Sequence, residues 1–253
     1  MPVELDDHRG YPPLNTLKRI ADGVWIVDGP LIRFGPPLLK MPFPTRMTVM
    51  CVADRDLLIH SPTPLVPALA GQIAELGRPR WIIGPNRLHY WWIPQWHAAF
   101  PDATVHLAPR IRKQAGARIA FDACLLDRDR GYPWDAAVAT LPIAGDYMTE
   151  VALFHRASRT LVLADLIENF EPQRLGTMMR WLTRLGGAQD PDGGMPRDMR
   201  ATFARHRPAL RAAIETMIAW NPERIILAHG RWYARDGAHE LRRAFRWVLD
   251  RAV

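Results

Sequence analysis

Two short apolar runs end abruptly on side chains that can do chemistry, and they constrain the fold more than anything else in the chain. Thr160-Leu-Val-Leu-Ala-Asp165 stops on a carboxylate, and the chain then turns polar at Glu168-Asn169. Arg224-Ile-Ile-Leu-Ala-His229-Gly230 stops on an imidazole followed by glycine. Four to six apolar residues bounded by polar ones read as buried strands. A polar group at the end of such a strand stands where folds expose catalytic or metal-binding side chains. The reading predicts that Asp165 and His229 converge on one site.

The remaining segments supply layers for those strands. Residues 1–15 read as an N-terminal arm, loose over Met1 to Pro13. Gly23 to Asp28 is a strand that continues through Leu31 to Phe34 after the Gly29-Pro30 turn, and Pro36, Pro37, Pro42 and Pro44 are expected to break the chain before a strand from Arg46 to Val52. Leu57 to His60 follows the turn Asp54-Arg55-Asp56, giving a meander of adjacent antiparallel strands. Pro64 to Leu76 is helical by its Leu65, Leu69, Ile73, Leu76 spacing. Then come a strand at Trp81 to Gly84, an aromatic helix from Tyr90 to Phe100 broken at Pro94, a strand at Thr104 to Leu107 and a short helix from Pro109 to Ala115. The second half repeats the pattern. Strands are predicted at Ala137 to Leu141, Glu150 to His155, Thr160 to Ala164 and Arg224 to Ala228, with helices at Pro172 to Leu185, Arg197 to Trp220 and Ala238 to Ala252. Gly186 to Pro196 is a loop by composition. Alternating strands and helices in both halves predict one α/β domain over residues 1–253, an α/β/β/α sandwich.

Composition narrows the function classes. Hydrophobic residues make up 48% of the chain, ample for a core. The net charge of +7 permits nucleic-acid or anionic-membrane partners. Yet Lys18, Lys40 and Lys113 are the only lysines, and the arginines are scattered through acid-containing helices, as on a solvated surface. No nucleic-acid motif occurs, and no apolar stretch reaches the ~18 residues that span a bilayer. The acidic N-terminus is not a secretory signal, so the cytoplasm is the expected compartment. Cys51 and Cys124 lie in apolar surroundings without Cys-x-x-Cys spacing and are expected to be buried free thiols.

His60-Ser61-Pro62-Thr63, Pro85-Asn86-Arg87-Leu88-His89, Glu150-Val-Ala-Leu-Phe-His155, Ser158-Arg-Thr-Leu161 and Ala164-Asp165-Leu166 together resemble the metallo-β-lactamase fold, in an uncharacterised branch of the metallo-hydrolase/oxidoreductase superfamily. The resemblance spans roughly Trp25 to Trp247. It implies that Asp165 matches a metal-bridging aspartate and His229 the last ligand histidine. The departures are as informative. The superfamily signature His-x-His-x-Asp-His is replaced by Pro-Asn-Arg-Leu-His-Tyr, which leaves His89 and puts Tyr90 where related members carry a second histidine. The Gly-His-Thr-Pro-Gly turn corresponds to Gly145-Asp146-Tyr147-Met148-Thr149, and His60 stands where an acid is usual. An ordinary dinuclear enzyme does not fit this sequence.

A catalytic zinc site needs three protein ligands and an open position. His89, Asp165 and His229 supply that set for one ion, and two imidazoles with a carboxylate suit iron or manganese equally. Glu150 and His155, an odd number apart on one strand, point to opposite faces, so only one can serve a shared site. Glu150 is the candidate to orient a ligand histidine or act as general base, beside Asp165 as the other catalytic carboxylate. Plainer roles stand beside these: Asn86 and His89 closing a turn, Asp165 capping the next helix, His60 satisfied in the core, His155 on the surface. Tyr90, Trp91, Trp92 and Trp96 read either as core or as the apolar wall of a ligand pocket, and Met178, Met179, Trp181 and Leu182 as a lid or homodimer contact. Three functions remain open. One is a hydrolase with a single metal acting on a small ester, amide or thioester. Another is a metal-free module that binds an unknown small molecule in a degenerate site. A surface that uses its arginines on RNA or anionic lipid is a third.

Overall fold

Side-chain alternation in the second-half strands decides the layering. In a computed structural model of the chain, which describes residues 3–4, 10–34 and 40–250, Val151 and Leu153 face one apolar cluster while Ala152 and Phe154 face another. Val162 and Ile226 likewise join the first cluster, and Leu161, Leu163, Ile225 and Leu227 the second. Strands apolar on both faces need a layer on each side.

The first sheet contains β1 (Val3–Glu4), β2 (Lys18–Ala21), β3 (Val24–Phe34), β4 (Met41–Ala53), β5 (Asp56–His60), β6 (Arg78–Gly84), β7 (Thr104–Leu107) and β8 (Cys124–Leu125). Its order is β1-β3-β4-β5-β6-β7-β8, with β2 pairing β3. The β3-β4-β5 meander is antiparallel, and β5 through β8 run parallel. The second sheet is β12-β11-β10-β9, from β9 (Val138–Ala144), β10 (Thr149–His155), β11 (Thr160–Leu163) and β12 (Arg224–Leu227). Helices α1 (Pro67–Leu76), α2 (Ile93–Ala99) and α3 (Ile111–Ala115) accompany the first sheet, and Leu69, Ile73, Ile93, Trp96 and Ile111 pack into its cluster. After α4 (Thr177–Gly186) and α5 (Arg197–Thr202), the helices α6 (Arg207–Ala219), α7 (Gly237–Ala244) and α8 (Arg246–Leu249) cover the second sheet through Leu210, Ile214, Met217, Leu241 and Val248. The result is the expected α/β/β/α sandwich, with each fully buried aliphatic side chain contributing roughly 1.5–3 kcal/mol.

Several local expectations are corrected. Pro42 and Pro44 lie inside β4 rather than before it. β5 pairs only with Thr48 to Ala53, so the proline-bearing half of β4 has a strand partner on one side alone. A missing N–H is tolerated there. Pro94 starts α2 instead of breaking a longer helix, and the segment from Arg197 to Trp220 divides where Pro208 opens α6. Cys51 is only half-buried and Cys124 is exposed, both as free thiols. Of the apolar residues on α4, Met179 is buried, whereas Met178, Trp181, Leu182 and Leu185 face solvent. Most of the arm, together with Pro36, Pro37 and the last residues of the closing helix, lies outside the described residues. Among the described residues no helix is long and apolar enough to cross a membrane.

Candidate metal centre

Strand register brings the predicted residues together. β11 and β12 run parallel with Leu163 opposite Leu227. Asp165 and His229 each follow two residues later, so they leave the sheet side by side. His89 arrives from the other sheet, in the turn after β6, where the His89 N–H donates to the Asn86 carbonyl (3.1 Å) and the Leu88 N–H to Asn86 Oδ1 (2.8 Å). The ligand-type atoms of His89, Asp165 and His229 lie within 4.8 Å of one another. His89 Nε2 stands 3.2 Å and His229 Nε2 3.1 Å from the same oxygen, Asp165 Oδ1.

Each of the three is held from behind. The Asn86 amide donates to Asp165 Oδ2 at 2.7 Å and to Glu150 Oε2 at 3.2 Å. Ser61 Oγ lies 2.7 Å from His89 Nδ1. His229 Nδ1 lies 2.7 Å from the Pro44 carbonyl, which can only accept, so this nitrogen carries the proton. The neutral form of His229 therefore turns an Nε2 lone pair towards Asp165 Oδ1. Two lone pairs at 3.1 Å repel unless a proton or a metal cation sits between them.

Glu150 serves this arrangement in a way that differs from expectation. It is fully buried and accepts the backbone N–H groups of Ala164 (2.9 Å), Asp165 (2.7 Å) and Leu166 (3.2 Å). It thus clamps the turn that carries Asp165, and neither histidine is among its hydrogen-bond partners. Burial, and next the Asp165 carboxylate, push the Glu150 carboxyl up to about 7, while the three backbone donors pull it down. For Asp165, burial is the largest influence and raises its pKa. The imidazoles of His89 and His229 outweigh it and hold the carboxyl below the usual carboxylate range.

The other residues singled out from the sequence separate into two groups. Tyr90 and Trp92 line, with the three ligand-type residues, a cavity of about 250 Å³. Trp91 joins them, its ring stacked on Tyr90 at 5.0 Å with Arg118 against it. Trp96 instead fills the core and donates its indole N–H to the Thr63 carbonyl. His60 is buried outside the cavity lining, with no hydrogen-bond partner at Nε2 among the described residues. Burial, helped by His89, pushes its imidazole down to about 3, so it is neutral. His155 is far from the centre. It points between the sheets, bonding Ser158 Oγ (2.7 Å) and reaching the Cys51 carbonyl (3.2 Å).

Sequence reasoning missed four contributors. Pro44 and Ser61 fix the imidazoles, and Ser61 lay unassigned within a quoted motif. Arg46 is buried and donates to the Leu227 and Gly230 carbonyls (2.7 and 2.8 Å), which bracket His229, while its Nε bonds Asp28 at 2.8 Å. Its signal was a pair of opposite charges inside apolar strands, at positions that prove to face each other across β3 and β4. Glu168 is half-buried in the cavity wall. Burial pushes its carboxyl up to about 8, opposed by His229 and reinforced by Asp165 and Asp198.

Sheet order, layer sequence and the site at the strand ends define a metallo-β-lactamase fold. The structure superposes on DIM-1 metallo-β-lactamase with a TM-score of 0.61 at 10% identity, covering 92% of this chain and 97% of that one. The metallo-β-lactamase FIM-1 from Pseudomonas aeruginosa, in a mono-zinc form, gives 0.60 at 11% identity over 92% and 96%. The metal-soaked Flv1 flavodiiron core from Synechocystis sp. PCC6803 gives 0.59 at 12% identity, covering 93% of this chain and 60% of that one. No curated protein matches in sequence. Within this fold the chain belongs to the family described as Domain of unknown function (DUF4336), which matches residues 24–179.

Proposed function

We propose that the protein is a hydrolase with a single metal ion, acting on a small ester, amide or thioester, with His89, Asp165 and His229 as ligands. The observation that carries this reading is the fixed tautomer of His229, whose Nε2 faces Asp165 Oδ1 at 3.1 Å and calls for a cation between them. The donor set fits zinc and equally suits iron or manganese, and three ligands leave a position open. A mono-zinc metallo-β-lactamase and a flavodiiron core among the similar structures are consistent with either choice. A divalent ion there would polarise a carbonyl and lower the pKa of water.

The chain's own residues do the rest. Ser61 and the Pro44 carbonyl set the two rings, and Asn86 ties the outer oxygen of Asp165. Asp165 lines the cavity, and on this reading its carboxylate is the group that would accept the proton of an attacking water. Glu150 is enclosed by backbone donors away from the cavity lining, so its part is to position Asp165. Leu88, Tyr90, Trp91 and Trp92 wall the site with apolar surface and limit water.

The test is elemental analysis of protein purified without added metal or chelator, beside Asp165→Ala/His229→Ala. Near-stoichiometric zinc, iron or manganese that is lost in the variant is the expected result. No metal even after reconstitution would overturn the hydrolase and leave the metal-free binding module, which the aromatic wall also supports.

A further inference from the structure

The charge of the cavity runs against the charge of the chain. The sequence holds 33 Lys and Arg against 26 Asp and Glu, yet no Lys or Arg is among the described residues of the cavity lining, whereas Asp165, Glu168 and Asp198 are. These acids are not equally engaged. Asp165 is occupied by His89, His229 and Asn86. The Glu168 carboxylate receives no hydrogen bond or ion pair from the described residues. Asp198, exposed at the rim, takes among the described residues only the backbone N–H of Met199 at 2.9 Å. Burial disfavours the ionised form of Glu168, and a cationic guest offsets the cost of ionising it. The surrounding wall carries Phe43, Tyr90, Trp91 and Trp92, whose ring faces attract cations as well as apolar groups. Glu168 and Asp198 lie on the lining outside the proposed ligand set, so an ammonium can meet them without displacing an ion held there.

We propose that the cavity selects a small amine-bearing ligand, with an apolar body against the aromatic wall and an ammonium paired with Glu168 and Asp198. Calling that ligand a substrate, a cationic ester, amide or thioester, rests on the hydrolase reading. The binding preference does not. At about 250 Å³ the cavity lies near the small end of ligand pockets, which run from ~300 to 1,000 Å³.

The experiment titrates the protein as purified with phenethylammonium and with its neutral isostere 2-phenylethanol, by calorimetry. The ammonium should bind about tenfold tighter, the scale of one charge-assisted hydrogen bond. Glu168→Gln/Asp198→Asn should abolish the preference, and Asp198→Asn alone, at the exposed rim where folding is not at stake, should reduce it. Equal affinity for the two probes, or a preference that survives the double variant, overturns the proposal. In parallel, 4-nitrophenyl 6-aminohexanoate and 4-nitrophenyl hexanoate are assayed for hydrolysis. Selective binding without turnover of either ester leaves the amine preference standing and counts against the hydrolase alone. Faster turnover of the hexanoate than of the aminohexanoate counts against the amine preference.

Discussion

Replacing Arg46 with methionine tests whether the His229 loop is held by the buried ion pair beneath it. Arg46 and Asp28 both have side chains only 3% exposed, and Arg46 Nη2 lies 2.7 Å from Asp28 Oδ1. Methionine keeps most of the volume but leaves Asp28 with Lys18, 2.8 Å away and itself partly exposed, as its remaining partner. It also removes the donor from the Leu227 and Gly230 carbonyls. Breaking a buried pair costs about 3–5 kcal/mol. Lys18 moves the expectation to the lower part of that range, and two orphaned carbonyls, at about 1 kcal/mol each, move it back up. Arg46→Met should therefore lower stability by about 3–5 kcal/mol, which is roughly 10 °C in Tm for a domain of this size. Urea unfolding reads it as a lower midpoint at unchanged slope. Asp28→Asn/Arg46→Met removes both charges and should be less destabilised than the sum of the single variants, by about 1.5 kcal/mol or more. An Arg46→Met variant within about 1 kcal/mol of the parent, or strict additivity in the cycle, would refute the reasoning.

Two further outcomes follow from the same region. The folded-state pKa of His60 lies near 3 against 6.5 when unfolded, so the unfolded chain binds the extra proton and the His60 contribution, whole above pH 6.5, is lost as pH falls towards 3. The slope is about 1.4 kcal/mol per pH unit at its steepest, and His60→Leu should flatten stability measured between pH 6.5 and 4 by that amount; an unchanged slope would assign the acid sensitivity elsewhere, as to His106, whose pKa falls to about 4. At Gly230 the backbone has φ +86° and a Cβ would stand 2.1 Å from the Asn169 carbonyl oxygen, so Gly230→Ala should cost more than about 3 kcal/mol and displace His229; near-native melting with unchanged metal content would contradict the contact.

What was legible in the sequence is what depends on local pattern. Apolar runs that stop on Asp165 and His229 announce strand ends, and the odd spacing of Glu150 and His155 correctly separates them to different environments. Layer order follows from alternating strands and helices. The parts that depend on distant partners were not legible. No local signal says that the Pro44 carbonyl lies 185 residues from His229 in sequence yet fixes its ring, or that Arg46 reaches across to the loop after β12. The prolines of β4 misled for a related reason: whether a missing N–H matters depends on whether a neighbouring strand needs it, and that is set by the length of β5. Glu150 was read as orienting a histidine or acting as general base, and its hydrogen bonds go to the backbone of the Asp165 turn, a partner no local signal distinguishes from a histidine.

These distant contacts also decide what the loss of the signature histidines means. With His89 the sole histidine in the turn after β6, a loosely held remnant would let the three side chains drift to separate solvent-facing rotamers. Here each is fixed from its far side, Asp165 by Asn86 and the Glu150-clamped turn, His89 by Ser61, His229 by Pro44. The entropy of gathering them is met by strand register and by supporting groups of which, among the four, Ser61 alone also lines the cavity. A cation satisfies the lone pairs of neutral His229 Nε2 and Asp165 Oδ1, whereas neutral His89 can donate its own Nε2–H to the same oxygen. The three side chains are therefore preorganised in the way the proposed single-ion site requires.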